Sequence, residues 1–248
     1  MRTHGDHDFI PGGAAYAGGV RAHAGFAITR VLFARPIAYQ AGFAVISRHL
    51  SSVGRPTAAL CATELRVPVP LTLDGFAEFN TGYGTELDAL GVRQHTDNGP
   101  LSPLARTNVA PLYTPLDAPS LAAFCYTVPA ADSAAAFVVA GCGDIRDDTA
   151  AAIIAAGDIS PIGLRTKAAY IVGELAMAMQ ILGVEWREVT DLTVYTTHAV
   201  HDLLETVIYP VTGAPASGVH LIAARPPIVG LDLELDLRGV QTELRLAH

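Results

Sequence analysis

The sequence predicts an α+β protein made of two halves with a similar plan. Stretches whose apolar residues recur at helical spacing alternate with short stretches rich in β-branched residues. The same order occurs twice: a strand, a long helix, a strand, a shorter helix and two further strands. The 248 residues are enough for two domains of roughly 110–120 residues, each with its own core.

The first half contains two predicted helices and three predicted strands after its opening strand. The helices span residues 37–53 and 74–83, and the strands span 58–69, 106–110 and 121–128. The first helix ends at Gly54, and Asp74 is the expected N-cap of the second. The last two strands are expected to pair with each other. Residues 91–103 form a loop that has no counterpart in the second half.

The second half follows the same plan. Its helices span residues 164–182 and 200–209, and its strands span 189–196, 218–224 and 228–237. The long helix ends at Gly183, a residue type favoured at helix C-termini. The last strand alternates leucines with Asp232, Glu234 and Asp236, which is the period of a β-strand. With a boundary near Asp132, the chain divides into a flexible N-terminal segment (1–20), a first domain (21–128) and a second domain (129–248).

Composition and charge exclude several classes of partner. The chain has 16 Lys and Arg against 24 Asp and Glu, a formal net charge of −8. This balance argues against a nucleic-acid partner or an anionic membrane surface. No stretch reaches the roughly 18–20 apolar residues that a membrane span needs. The N-terminus is polar and lacks the pattern of a secretory leader, and three cysteines without paired spacing predict no disulfide framework, so a cytoplasmic protein is expected.

Short strings within this plan resemble the RidA (YjgF) superfamily. The second helix reads LDGFAEFNTGY, similar to a string on the family's second helix, and PLARTNV resembles the family's P-A-R-S-x-V motif. In the second half, PASGV occupies the place of that motif without its arginine. FVVAG and LDLEL resemble an internal strand end and the closing strand of the family. The chain is also similar, more distantly, to the chorismatases.

The resemblance implies a fold, an assembly and an activity. The fold is two RidA-like (chorismate-mutase-like) domains, each a mixed β-sheet with two helices packed on one face. The assembly is a homo-oligomer, such as a trimer whose domains form stacked pseudo-sixfold rings with ligand clefts between sheets. The activity is hydrolysis of an imine or enamine of a small carboxylate-bearing substrate, with release of ammonia and no metal or organic cofactor.

Two other functions stay open at this point. One is a chorismatase-like hydrolase or lyase that acts on a cyclic carboxylate in a biosynthetic pathway. The other is a non-catalytic module that binds small acids. Because fold analogy alone does not establish a site, the candidate residues need their own chemical reasons.

Arg106 and Glu234 are the candidate catalytic residues. A guanidinium presents a planar fork of donors that binds a carboxylate in bidentate fashion, and Glu234 lies where the family's carboxylate activates water. The first half has the arginine but Cys125 near the place of the glutamate, and the second half has Ser217 where the arginine would lie. We therefore expect an asymmetric cleft where unlike domains meet. The alternatives are a surface pair of Arg106 with Asp97 and a solvated row of acidic residues around Glu234.

Four residues complete the predicted substrate-binding site: Asn80, Tyr83, Thr107 and Cys125. Asn80 and Tyr83 match the family's helix positions near the cleft, and Thr107 follows Arg106 in the motif. The alternatives are an aromatic ring packed on the core for Tyr83, a turn residue for Thr107 and core filling for Cys125.

Other chemistries are disfavoured. Cys142 lies between two glycines, but no histidine beside it would activate a thiolate nucleophile. The N-terminal cluster of His4, Asp6, His7 and Asp8 lacks fixed geometry, and the pair His198 and His201 lacks a third ligand. The sequence therefore predicts no metal site.

Overall fold

The computed structural model of the chain describes residues 1–131, 134–147, 149–213 and 218–247. The expected boundary at Asp132 and Ser133, and the PASGV string as far as Ser217, lie outside the described residues. Within the described residues, the strands β1 to β14 are Arg2–His4, His7–Ile10, Gly19–Ala22, Phe26–Ala38, Leu60–Arg66, Gln94–Thr96, Gly99–Leu101, Ala105–Pro111, Ser120–Pro129, Phe137–Gly143, Asp191–Thr196, His220–Arg225, Leu233–Gly239 and Thr242–Leu246.

The helices lie mostly where the sequence predicts them. Helices α1 to α5 are Tyr39–Ser52, Leu73–Ala89, Pro161–Leu182, His201–Leu203 and Tyr209–Thr212. A π-helical segment, Leu204–Ile208, joins α4 to α5, and short 3-10 turns lie at Thr57–Ala59, Ala150–Ala152 and Trp186–Glu188. Gly183 ends α3 with a φ of +67°, as expected of a C-terminal glycine. The N-cap of α2 is Thr72, whose hydroxyl accepts a hydrogen bond from Gly75 N at 3.1 Å, so the expectation of Asp74 as N-cap was wrong.

Both halves have the same strand order. In the first half the order is β4-β9-β5-β8, and in the second it is β10-β13-β11-β12. In each half the first three strands of this order pair with one another in antiparallel fashion, and the fourth pairs in parallel with the third. The halves join through a short antiparallel contact of β12 with β8. This repeated order supports the duplicated plan, while the domain limits 21–128 and 129–248 stay a prediction.

Two local expectations were wrong. β8 and β9 do not pair with each other but lie on either side of β5, and β12 and β13 likewise flank β11. The reason is the helical crossover: α2 connects β5 to β8 as parallel neighbours, which leaves the other edge of β5 for β9. The expected loop 91–103 contains a hairpin, since β6 pairs with β7 across a tight turn.

The N-terminal segment 1–20 is not a flexible arm. It forms β1, β2 and the start of β3, and β3 pairs with β10 of the second half. Phe9 and Val20 are fully buried, so apolar packing fixes the segment. At the other end of the chain, β14 pairs in parallel with β4 of the first half. Each terminus therefore extends a sheet, and together they bind the two halves to each other.

The helices cover the outer faces of the sheets, and the inner faces pack against each other. One core lies between α3 and its sheet, and another lies between α1, α2 and theirs. A third core lies between the sheets and is made largely of small residues such as Ala62, Ala105 and Ala140, with Phe9 and Ile28. Small side chains allow the two sheets to approach closely, which places residues of both halves in one site. Among the described residues, no helix is long and apolar enough to cross a membrane.

Candidate active site

A cavity opens at the junction of the two halves. It receives side chains from the N-terminal segment, from α2 and β8 of the first half, and from β10, β13 and the segment before β13 of the second half. It is lined by Tyr16, Phe76, Arg106, Asn108, Gly141, Gly143, Ile145, Pro227, Ile228, Leu231 and Glu234. One wall is therefore apolar, and the other carries a cation, an amide and a carboxyl group.

Arg106 is a buried cation on β8, and one of its terminal nitrogens has no hydrogen-bond partner in the described residues. Its residue surface is 4% exposed, and the rings of Tyr16 and Tyr83 lie with their centroids 4.5 Å and 5.1 Å from the guanidinium carbon. Nη2 donates to Asn80 Oδ1 at 2.8 Å, whereas Nη1 is buried without a partner among the described residues. Burial lowers the pKa of the guanidinium, which remains charged at working pH. The alternative of a surface pair with Asp97 is wrong.

Asn80 and Tyr83 act on Arg106 rather than lining the cavity. Asn80 is half-buried on α2 and accepts the Arg106 hydrogen bond. Tyr83 is fully buried, and its hydroxyl group lies 2.7 Å from Thr63 Oγ1. Both predicted substrate-binding side chains therefore contact the guanidinium from the α2 side, because one face of α2 packs over β8.

Glu234 is a buried carboxyl group on β13 in the same cavity. It is 4% exposed, and its pKa is raised to about 8, first by burial and then by the nearby charge of Asp236. The backbone N–H of Asn108 donates to it. Gly141 on β10 makes room for it, since a Cβ at that position would overlap Glu234 Oε1. The alternative of a solvated acidic row is wrong, because Glu234 and Asp236 lie between the packed sheets.

Thr107 and Cys125 lie outside the cavity, contrary to expectation. Successive residues of a strand point to opposite faces, so Thr107 points away from the face that carries Arg106. Its hydroxyl donates to Asp236 Oδ2 at 2.6 Å, between the sheets. Cys125 belongs to the core between the sheets, where burial raises the pKa of its thiol to about 12.

Tyr16 and Gly141 line the cavity but were not predicted as site residues, whereas Asn108 had been weighed as a hydrogen-bond donor beside Arg106, with turn formation as the alternative. Tyr16 lies in the segment that was expected to be flexible, so its place over Arg106 had no local signal. Asn108 follows the arginine of the motif by two residues, and that spacing on a strand was the one usable signal. The need for glycine at position 141 depends on a side chain 93 residues away, and the sequence carries no sign of it.

Cys142 and His198 are not among the residues that line the cavity. Cys142 lies in a neighbouring groove, and burial raises the pKa of its thiol to about 12, which disfavours the thiolate. His198 lies 3.0 Å from Asp232, which also pairs with the fully buried Lys167. Nowhere in the described part of the chain do three His, Cys, Asp or Glu side chains converge as metal ligands.

Comparison with known proteins assigns the chain to a family. A family model described as 2-aminomuconate deaminase CnbZ matches residues 1–244. The chain belongs to this family. A 2-amino-5-chloromuconate deaminase from Comamonas testosteroni is 36% identical over 244 residues, which are 96% of this chain and 95% of that protein. Membership in the 2-aminomuconate deaminase family supports deaminase activity for this chain.

A solved structure supports the fold. The crystal structure of a chorismatase is similar to this chain with a TM-score of 0.51, over 90% of this chain and 77% of that one. The sequence identity is 14%, so the likeness concerns the fold alone. The distant similarity to chorismatases noted from the sequence therefore holds at the level of architecture.

Proposed function

We propose that this protein is a hydrolytic deaminase that acts on 2-aminomuconate or a ring-cleavage product like it, without a cofactor. Family membership and the substrate of the Comamonas testosteroni relative support the substrate class. The observation that carries the proposal is the cavity in which a buried arginine with an unused donor and a buried glutamate with a raised pKa meet from the two halves.

The cavity suits an unsaturated amino acid with a carboxylate at its end. Arg106 offers Nη1 to that carboxylate, since this nitrogen has no hydrogen-bond partner within the described residues. The apolar wall of Phe76, Ile228 and Leu231 suits the conjugated carbon chain. Loss of the carboxylate's hydration on entry is offset by the charge-assisted hydrogen bond to the guanidinium.

The reaction consumes one water molecule and releases one ammonia molecule. Protonated Glu234 donates its proton to a carbon of the enamine, and the electron pair of the amino nitrogen forms the C=N bond of the imine. The resulting carboxylate takes a proton from water, whose oxygen bonds to the imine carbon. Glu234 then transfers this proton to the nitrogen, the C–N bond breaks and ammonia leaves. The hydroxyl group returns its proton to the carboxylate, so the carbon becomes the carbonyl of a 2-oxo acid and Glu234 is protonated again. No electron acceptor is needed, since nothing is oxidised.

The raised pKa suits Glu234 to both proton transfers. With a pKa of about 8, the group is protonated at neutral pH and can donate its proton. The carboxylate that results is a stronger base than an ordinary glutamate, which suits it to take a proton from water.

Ammonia release from freshly generated 2-aminomuconate tests the proposal. The wild-type protein is expected to release ammonia in step with loss of the substrate's absorbance. Arg106→Met removes the cation at similar length and is expected to lower kcat/KM by about 100-fold or more. Arg48→Met, the same change on the exposed face of α1, is the matched control and is expected to be without effect. No ammonia from the wild type, or full activity of Arg106→Met, would contradict the proposal.

The activity proposed here does not require a second subunit, because both halves of one chain build the cavity. The homo-trimer with stacked rings stays a prediction that analytical ultracentrifugation tests. A chorismatase-like reaction on a cyclic carboxylate and simple acid binding are the alternatives; they would show as turnover of chorismate or as binding without ammonia release.

A further inference from the structure

Asn108 has a side chain to which the mechanism above gives no task. The residue is 3% exposed and lines the cavity with Arg106 and Glu234. Within the described residues, neither its amide oxygen nor its amide nitrogen has a hydrogen-bond partner. An amide group can make up to four hydrogen bonds, and burying it with none costs free energy. A polar group in this state needs a partner that enters from outside the chain.

The backbone fixes this amide relative to both catalytic groups. Asn108 follows Arg106 by two residues on β8, so both side chains lie on the same face of the strand. The backbone N–H of Asn108 donates to the Glu234 carboxyl group. Two residues that line the cavity with Glu234 therefore hold three buried polar atoms without a hydrogen-bond partner in the described residues: Arg106 Nη1, Asn108 Nδ2 and Asn108 Oδ1.

These atoms differ in what they can bind. A guanidinium offers donors only, and Glu234 is occupied with proton transfer, whereas an amide offers a donor and an acceptor side by side. The amino end of 2-aminomuconate shows the complementary pair, a carboxylate that accepts and an amino group that donates. A carboxylate alone would leave the amide oxygen without a partner.

We propose that Asn108 is a specificity-determining residue that recognises the 2-amino group of the substrate. Its Oδ1 accepts a hydrogen bond from the amino group, while its Nδ2 and Arg106 Nη1 donate to the adjacent carboxylate. This inference rests on the proposed function and deepens it, because it determines which of the two carboxylates of the substrate binds to Arg106. An analogue without the amino group, such as cis,cis-muconate, pays for burying an unpaired amide oxygen and binds more weakly.

Asn108→Leu tests this assignment, since leucine keeps the approximate size and removes both polar atoms. We measure kcat/KM for 2-aminomuconate, the competitive Ki of cis,cis-muconate and Tm. The variant is expected to lose about 10- to 100-fold in kcat/KM for 2-aminomuconate. The Ki of muconate is expected to change by a clearly smaller factor, because muconate loses the Nδ2 donor but no longer buries an unpaired amide oxygen. Its Tm is expected to be unchanged or higher, because the amide has no partner within the protein to lose. Asn98→Leu, at an exposed turn outside the cavity, is the matched control.

The outcomes separate this inference from the proposed function. If the wild type is active and Asn108→Leu changes kcat/KM by less than about twofold, recognition by Asn108 is refuted while the proposed function stands. An equal weakening of 2-aminomuconate and muconate, or a Tm several degrees lower, would assign Asn108 a structural role and refute the inference as well. A wild type that releases no ammonia would overturn the proposed function itself.

Discussion

Burial is the main influence on the pKa values of the two ionisable residues in this cavity, Arg106 and Glu234. Arg106 is a cation held under aromatic rings, with Asn80 as its one side-chain hydrogen-bond partner in the described chain. Glu234 is a carboxyl group kept from ionising until about pH 8. Groups of this kind are costly to bury and are typical of functional sites. Neither contributes to stability in the way that a paired surface charge does.

Glu234→Gln separates the proposed catalytic role of this residue from its cost to stability. The folded-state pKa of about 8 exceeds the unfolded value, so the contribution of Glu234 to wild-type stability falls as pH rises from about 4.5 to 8 and is constant above. We expect the variant to lose about 100-fold or more in kcat. We also expect it to be as stable as the wild type at pH 4 but several kcal/mol more stable at pH 9, because glutamine has no proton to lose.

Urea denaturation at several pH values checks the stability of Glu234→Gln. The wild-type kcat/KM is expected to be level below pH 8 and to fall above it, since in the proposed reaction the protonated carboxyl group donates the first proton. Glu78→Gln, on the exposed side of α2, is the matched control. A stability difference that does not grow with pH would contradict the buried, protonated state of Glu234.

The identities of Arg106 and Glu234 were predictable from short strings, but their neighbours were not. A string specifies residue types at a spacing along one strand or helix. Whether Tyr83 faces the cavity or the core depends on how α2 rotates over β8, which is settled by packing of the whole face. The same holds for Asn108, whose missing partners become evident only when every element around it is in place.

At the scale of elements, α2 is the support of the cation. Phe76, Asn80 and Tyr83 are spaced four and three residues apart, so they share one face of the helix and all contact Arg106. The existence of this helix was predictable from its apolar spacing. Its start was not, because Thr72 and Asp74 are both favoured near helix N-termini, and only the backbone direction before the helix selects Thr72.

Thr72→Ala and Asp74→Ala test the start of α2 as a matched pair. Thr72 accepts the hydrogen bond of Gly75 N, so its loss is expected to cost about 1 kcal/mol of stability, or about 2–4 °C in Tm. Asp74 is exposed in the first turn, where its interaction with the helix dipole stabilises the helix by less than about 1 kcal/mol. Thermal unfolding followed by circular dichroism measures both variants. A larger loss for Asp74→Ala than for Thr72→Ala would contradict the observed cap.

At the scale of the whole molecule, the two sheets meet through buried charges as well as small apolar residues. Glu64 of the first half accepts two hydrogen bonds from Arg30, at 2.6 Å and 2.9 Å, and lies 3.3 Å from Arg238 of the second half. Arg238 also pairs with Asp236 at 2.9 Å and with Asp191 at 3.1 Å. This network spans both halves, and one of its members, Asp236, raises the pKa of Glu234.

The meeting of the two sheets is the part of the fold that the sequence could not predict. Alternation of leucine with acidic residues in β13 predicts a strand with two unlike faces, and this is confirmed. It does not say whether the polar face meets water or another sheet, because a buried charged face needs partners that lie far away in sequence. Glu64 and Arg238 are 174 residues apart, and neither position carries a local sign of the other.

Asp236→Asn and Asp191→Asn test how the network acts on catalysis. Both remove a carboxylate from Arg238, so both are expected to lower stability, measured by urea denaturation. Asp236 lies two residues from Glu234 on β13, and loss of its negative charge is expected to lower the pKa of Glu234. The alkaline limb of kcat/KM should then move from about pH 8 towards lower pH, by about one unit. Asp191 lies four residues from Tyr195, the strand partner of Glu234, a separation of roughly 13 Å along β11, so its variant should leave the limb in place. No shift in Asp236→Asn would show that the charges between the sheets hold the halves together without changing the pKa of Glu234. An equal shift in Asp191→Asn would contradict a direct effect of Asp236 on that pKa.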